Sequence, residues 1–463
     1  MAAVNGVLRR ATALTAALLA GVVGLGVAGC GQVVAGAPQA AQGVTVGSAD
    51  VSILRGTDGG RIDQLAAAAI TDVQDYWRQT FEPTFGKQWQ DVHGFYSVDA
   101  ADPSAKPPPC TDNASDVEGN AFYCPASDSI AYDRAALFPV LVEKFGDAGV
   151  VVVLAHEIGH AVHNRLGIDN NAQRRAPQLY PTIVVESMAD CYAGSFLRWV
   201  ADGKAAHLRV NPDQLDSALG SLVNFRDPIG TSATNRGAHG NAFDRVSSFQ
   251  DGFQHGPKLC SEITTEKRQF TLREFTSLQD QARGGNLALP TLVQDITGDL
   301  DAFFAKLVQA NGGSWTDPAL RPTPGCSGDQ GPVAFCPRDR SVGVDTGSTE
   351  LARLHEIGDY ATGTLLATRY GLAALVALGR SADGEKAARA ALCLAGAYTG
   401  DLLGRSQGFG LSPGDLDEAV LLLLRYDYAM RDADGHPAGG SAFDRVGLFR
   451  GGTLDGAGSC DLG

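Results

Sequence analysis

The chain has 463 residues, so two or three domains are expected, and 44% hydrophobic against 19% charged residues is ordinary globular material. A net charge of −15 with no basic patch excludes nucleic acid as an expected partner. In chain order, Arg9 and Arg10 precede an uncharged apolar run, Ala11 to Gly26, too short and wrongly flanked for a membrane-spanning helix.

Val27-Ala28-Gly29-Cys30 follows and resembles a bacterial lipobox. That resemblance implies a lipoprotein signal peptide over 1–29, lipid (palmitate among its chains) on Cys30, and a lipid anchor at the outer face of the cell membrane. Residues 30–50, rich in Gly, Ala, Gln and Val, read as a flexible tether. Asp63 to Phe81 looks helical, and Ser129 to Asp133 alternates as a short strand. Val150 to Leu166 reads as a helix through the stretch His156-Glu157-Ile158-Gly159-His160, with Asp147 as N-cap and Gly167 as C-cap. Its Val150 to Val153 run favours a strand by propensity, so a helix here is a tertiary override. Ile183 to Val200 reads as a further helix. The order is α+β.

The segment Ala242-Phe243-Asp244-Arg245-Val246 recurs as Ala442-Phe443-Asp444-Arg445-Val446, each followed by a cysteine eighteen residues after its first Ala. Asn211-Pro212 with Leu215-Asp216 matches Ser412-Pro413 with Leu416-Asp417, and FYCPASDSIAYD matches FCPRDRSVGVD. Blocks in one order indicate two copies of one domain: 51–262, a linker over 263–284, and a degenerate copy over 285–463. The eight remaining cysteines then pair within copies: Cys110 with Cys124, Cys191 with Cys260, Cys326 with Cys336, and Cys393 with Cys460. Such bridges suit an exported chain and each contributes about 2–4 kcal/mol.

His156 and His160 stand four apart on one helix face, where both imidazoles reach one metal ion, and Glu157 projects toward its open side. A hydrolytic zinc needs a third ligand. Glu186 lies 26 residues after His160 in an apolar helix, and Asp190, one turn on, can orient a ligand imidazole. At the offset of 212 set by Cys124 and Cys336, His156 falls on Thr368, Glu157 on Arg369 and His160 on Leu372. Glu186 falls on Ala388 and Asp190 on Leu392, so these positions are lost together and zinc is expected once per chain, in the first copy only. The look-alike His355-Glu356-Ile357-Gly358-Asp359 aligns with Glu143 to Asp147 and should carry no metal. His239 is absent from the second copy and is a candidate oxyanion stabiliser, whereas Arg245 and Asp244 read as structural. His163 reads as non-ligating, and His93, His207, His255 and His436 as solvated.

HEIGH, ESMADCYAG and HGNAFDRV, preceded by FYCPASDSIAYD, resemble the bacterial neutral zinc metallopeptidase family over about 60–260, and the lipobox is similar to that of actinobacterial lipoprotein members. The resemblance implies a zincin-like fold of the glutamate-ligand type, with zinc on His156, His160 and Glu186 and Glu157 as general base. Ala161 and His163 stand where many members carry His and Gln. The expected activity is extracytoplasmic endopeptidase action on protein or peptide substrates. A surface binding scaffold, or a cell-wall peptide amidase using the same site, are the competing readings.

Overall fold

The computed structural model describes residues 43–44, 47–326, 328–405 and 407–462. Cys30 and the signal-peptide stretch lie outside them. The N-terminal half runs β1 (Leu54–Arg55), α1 (Arg61–Phe85), β2 (Gly94–Val98), β3 (Ala121–Cys124), β4 (Ser129–Asp133), α2 (Leu137–Phe145) and α3 (Asp147–Arg165). It continues with α4 (Asn170–Arg175), α5 (Thr182–Ala201), α6 (Pro212–Asn224), α7 (Ala242–His255) and α8 (Pro257–Cys260). After α9 (Leu278–Ala282), the C-terminal half runs α10 (Leu289–Ala310), β5 (Ala319–Arg321), β6 (Val333–Cys336), β7 (Ser341–Val344), α11 (Thr349–Ile357) and α12 (Asp359–Ala377). It ends with α13 (Glu385–Leu403), α14 (Asp415–Arg425) and α15 (Ala442–Asp455). The architecture is mixed α and β with small sheets. Among the described residues, no helix is long and apolar enough to cross a membrane.

Each half is built around a helix buried on nearly all sides, α3 and α12. Val150 to Val153 favour a strand locally, yet they are at most 9% exposed within α3, so burial decides the conformation. The first sheet has the order β1-β2-β4-β3, with β3 at one edge, antiparallel to β4. The second has the order β5-β7-β6, again with an antiparallel edge strand. Cys124 faces Ser129 in the first register and Cys336 faces Ser341 in the second.

Glycines let the helices meet backbone to backbone. A Cβ at Gly194 of α5 would lie 1.9 Å from the Phe249 carbonyl oxygen of α7, and one at Gly396 of α13 would lie 2.0 Å from that of Phe449 of α15. Neither neighbour can rotate aside, because the obstacle is backbone. Gly194→Ala is therefore expected to cost about 3 kcal/mol or more, at the upper end of overpacking effects. Thermal or urea unfolding measures it, and a loss under about 1 kcal/mol would contradict the close approach.

The four disulfides join the expected cysteines: Cys110–Cys124, Cys191–Cys260, Cys326–Cys336 and Cys393–Cys460. The halves share one hydrophobic core and exchange caps. Asp417 Oδ1 of α14 accepts the Ala242 amide at the start of α7, at 2.7 Å. Asp216 of α6 accepts the Ala442 and Phe443 amides at the start of α15, at 2.8 and 2.7 Å.

Several local expectations change. Gly146, not Asp147, caps α3, because the Asp147 carboxylate is taken by Arg61, 2.5 Å away. Leu166 is the C-cap and Gly167, at φ +90°, follows it. The described part of the tether packs down: Val44 is buried and the Gly47 amide donates to the His207 carbonyl. The linker is docked as well, since the Thr271 and Leu272 amides donate to Asp244 of α7. His207 is not solvated. Its Nδ1 lies 2.7 Å from Asp72, a carboxylate with no exposure that also accepts the His207 and Leu208 amides.

Candidate metal centre

Helix α3 brings His156, Glu157 and His160 to one wall of a cavity of about 630 Å³, and α5 brings Glu186 to the same wall. Gly159 permits this approach: a Cβ there would lie 2.9 Å from Ala189 Cα on α5. His156 Nε2 is 3.1 Å from His160 Nε2 and 3.3 Å from Glu186 Oε2. His160 Nε2 is 3.6 Å from Glu186 Oε1. Donor atoms at the corners of a tetrahedron around zinc, with bonds near 2.0–2.1 Å, stand about 3.3–3.4 Å apart, so the spacing fits.

The proton positions fit as well. Asp190 Oδ1 lies 2.7 Å from His156 Nδ1, and a carboxylate only accepts, so Nδ1 carries a proton and Nε2 is the nitrogen turned toward the other donors. His163 Nδ1 lies 2.6 Å from the Ile168 carbonyl, which also only accepts. Burial pushes the His163 pKa down to about 3, so its Nε2 is an acceptor, 3.0 Å from His160 Nδ1. His160 therefore donates from Nδ1 and turns its Nε2 to the same point. Glu186 Oε2 is buried with no hydrogen-bond partner. The Nε2 atoms of two imidazoles and a carboxylate oxygen without a hydrogen-bond partner converge on one point, the donor set of a hydrolytic zinc site. These residues fit the ion.

The charges point the same way. Burial alone would lower the His156 pKa, but Asp190, Glu186 and Glu157 outweigh it and raise it to about 10. Burial alone would raise Glu186, but His160 and His156 hold it well below the carboxylate range. A pocket that stabilises positive charge on imidazole in this way draws in a cation. Glu157 is raised, by burial above all. Its Oε2 accepts the Tyr123 amide of edge strand β3 at 2.9 Å. Arg165 at the end of α3 holds Asp128 in the β3–β4 turn at 2.9 and 3.0 Å, which fixes that strand against the motif helix.

Behind His156, Arg245 of α7 grips Asp190 with two bonds of 2.8 and 2.9 Å, and its third nitrogen donates to the Phe225 carbonyl. Both side chains are at most 4% exposed. His239 lies on the same cavity, half-exposed, with Nδ1 3.4 Å from Asp227. That hydrogen bond raises the His239 pKa. Asp227 also accepts the His239 and Gly240 amides at 2.8 Å each.

A family model described as "Putative neutral zinc metallopeptidase" matches residues 3–265. The chain belongs to this family. Among curated relatives, "Uncharacterized protein Rv2575" of Mycobacterium tuberculosis (strain ATCC 25618 / H37Rv) is 33% identical over 165 residues, 32% of this chain and 56% of that protein. "Uncharacterized protein Mb2605" of Mycobacterium bovis matches to the same extent. "Uncharacterized protein YpfJ" of Escherichia coli (strain K12) is 28% identical over 152 residues, 30% of this chain and 53% of that protein. The chain thus spans about half the length of the curated relatives it matches. No solved structure matches it.

The family implies zinc, this donor set fits it, and the structure adds contacts that sequence reading missed. His163 is not a ligand but orients one; its spacing of three residues from His160, on one helix face, was the available signal. Arg245 looked structural because Arg445 persists in the second copy, yet it contacts Asp190 directly. Asp227 and the Tyr123 amide carried no signal in sequence. His163→Leu should keep the fold and lower zinc affinity by roughly 10–100-fold, the usual effect of removing a ligand's partner. Competition against a chromophoric chelator measures this, and an unchanged affinity would remove His163 from the site.

The C-terminal half carries a buried arginine on its own central helix, α12. Arg369, fully buried, donates to the carbonyls of Val333, Gln330, Tyr428 and Arg431 at 2.7–3.1 Å. His355 ends α11 and Asp359 begins α12, so the look-alike motif is divided between two helices.

Proposed function

We propose that the chain is a zinc-dependent endopeptidase with one zinc, held by His156, His160 and Glu186 of the N-terminal half. The observation that carries this is the convergence of two imidazole Nε2 atoms and a carboxylate oxygen without a hydrogen-bond partner on a cavity that Glu157 also lines. Bound zinc would polarise the scissile carbonyl and acidify the attacking water. Glu157 takes the proton from that water and delivers it to the leaving amine nitrogen. His239, held by Asp227, donates to the carbonyl oxygen as negative charge develops there. Edge strand β3 lines the same cavity, with Phe122 and Tyr123 beside Glu157, and an extended substrate backbone would run along it.

The C-terminal half is read as a degenerate copy of the same domain. The recurring element order, the matched sheet registers, the paired glycine contacts and the cysteine pairing support this. Its retained task is structural, because α14 caps the helix that carries Arg245. The protein is placed at the outer face of the cell membrane, anchored through lipid on Cys30; the lipobox supports this, and metabolic labelling with palmitate, lost in Cys30→Ser, tests it. For the site itself, elemental analysis should find about one zinc per chain, with the ion and the hydrolysis of a denatured protein both lost in His156→Ala. Zinc-independent hydrolysis would overturn the reading.

A further inference from the structure

A second cluster of carboxylates lies in the half that lacks the zinc ligands. Asp359 at the start of α12 and Asp415 and Glu418 in the first turn of α14 are all at most 4% exposed. One oxygen from each lies within 4.8 Å of the others. Each carboxylate spends one oxygen on a backbone amide: Leu287 to Asp359 at 2.6 Å, Ser412 to Asp415 at 2.8 Å, and Tyr360 to Glu418 at 2.8 Å. The other oxygen of Asp415, Oδ1, is buried with no hydrogen-bond partner. Asp359 and Asp415 also line a cavity of about 690 Å³.

His355 in the last turn of α11 and Arg283 act on Asp359 without reaching ion-pair distance. Among the described residues, none of the three carboxylates has an ion-pair partner. Arg283, which lines the cavity, is engaged by Asp280 at 2.8 Å, and Arg405 is engaged by Asp299 at 2.6 Å. The N-terminal half handles the same place differently. There Asp359 corresponds to Asp147, which Arg61 neutralises, and Asp415 and Glu418 correspond to the uncharged Gln214 and Ser217. Arg61 in turn corresponds to Leu287. The second half has therefore dropped a guanidinium and gained two carboxylates at one buried point. An uncompensated buried charge is strongly destabilising, and three together require a counter-ion or protons.

We propose that Asp359, Asp415 and Glu418 form a second metal site, distinct from the zinc centre, for a hard divalent cation of the calcium class. The donors are all oxygen, which disfavours zinc and suits calcium, with water in the cavity completing the coordination. Burial above all raises the three pKa values, joined by Asp280 at Asp359 and Asp415, by Asp417 at Glu418 and by repulsion within the cluster, against His355 and Arg283, which pull Asp359 down. The signs follow. Without the cation, protonation of these groups stabilises the chain at low pH, and that contribution is lost as pH rises through their raised pKa values. Calcium should thus act most at neutral and alkaline pH and give way to protons on acidification.

The test is calcium titration of the zinc-loaded full chain by calorimetry and thermal unfolding. The expected result is about one calcium per chain at concentrations up to about 10 mM, with a rise in melting temperature that shrinks as pH falls. The double variant Asp415→Asn/Glu418→Gln should lose the calcium response, keep its zinc and peptidase activity, and melt higher than the wild type in chelator, since it removes repulsion. Asp415→Asn alone should weaken calcium binding by about tenfold or more. A wild-type chain indifferent to calcium, or a shift that is equal in wild type and variants, overturns the proposal without touching the zinc reading.

Discussion

Glu157→Gln is expected to bind zinc and hydrolyse almost nothing. Glutamine has nearly the same shape, and its side-chain oxygen can still accept the Tyr123 amide that Glu157 Oε2 accepts at 2.9 Å, so strand β3 keeps its place beside α3. The proposed zinc donors, His156, His160 and Glu186, are left alone by the substitution. What disappears is a base able to take a proton from water and return it to the leaving nitrogen. General acid–base catalysis contributes about 10²–10⁴-fold, so kcat should fall by about 10³-fold with KM little changed. An internally quenched peptide or a denatured protein serves as substrate, with zinc content measured on the same sample. A variant that kept more than about a tenth of the wild-type kcat at full zinc loading would remove Glu157 from the chemistry.

The spacing of His156, Glu157 and His160 made half of the site legible, because helical periodicity alone puts both imidazoles on one face. Glu186 and Asp190 were legible for a different reason: the second half replaces them with Ala388 and Leu392, and a coupled loss within one chain points to a shared task. The cysteine pairing followed from the same comparison. Less could be read where the deciding contact crosses between distant segments. The Val150 to Val153 run shows only a strand preference until the surrounding core is known. His207 looks like a loop histidine until α1 supplies Asp72. Arg245 is the clearest case. Its persistence as Arg445 argued for a structural part, since a repeat reveals function only where the copies differ. The difference lies in the partner instead: Arg245 grips Asp190, whereas Arg445 donates to the Leu423 carbonyl.

That difference makes a prediction with two separable readouts. Arg245→Met should destabilise the fold by about 3–5 kcal/mol, because it leaves the Asp190 carboxylate, with no exposed surface, facing only His156 Nδ1. In the wild type, Arg245 and His156 overcome burial and hold Asp190 below the usual carboxylate range. Its contribution is therefore present above the unfolded pKa of about 3.9 and is lost only as pH falls through the lower folded value. Without Arg245 that advantage goes, and the carboxyl tends to protonate. A protonated Asp190 can donate to His156 Nδ1, which moves the imidazole proton to Nε2 and blocks a zinc ligand. Zinc affinity should then fall by roughly 10–100-fold. The double variant Arg245→Met/Asp190→Leu separates the effects. It removes both buried charges and installs the leucine that the second half carries at the corresponding position, so most of the lost stability should return. Zinc affinity should not return, since His156 Nδ1 still lacks its acceptor. Urea unfolding of the zinc-free chain reads the first quantity and chelator competition reads the second. Recovery of both in the double variant would mean that Asp190 only balances Arg245. Recovery of stability alone assigns Arg245 and Asp190 as the residues that fix the proton of His156 and keep its Nε2 open to the metal.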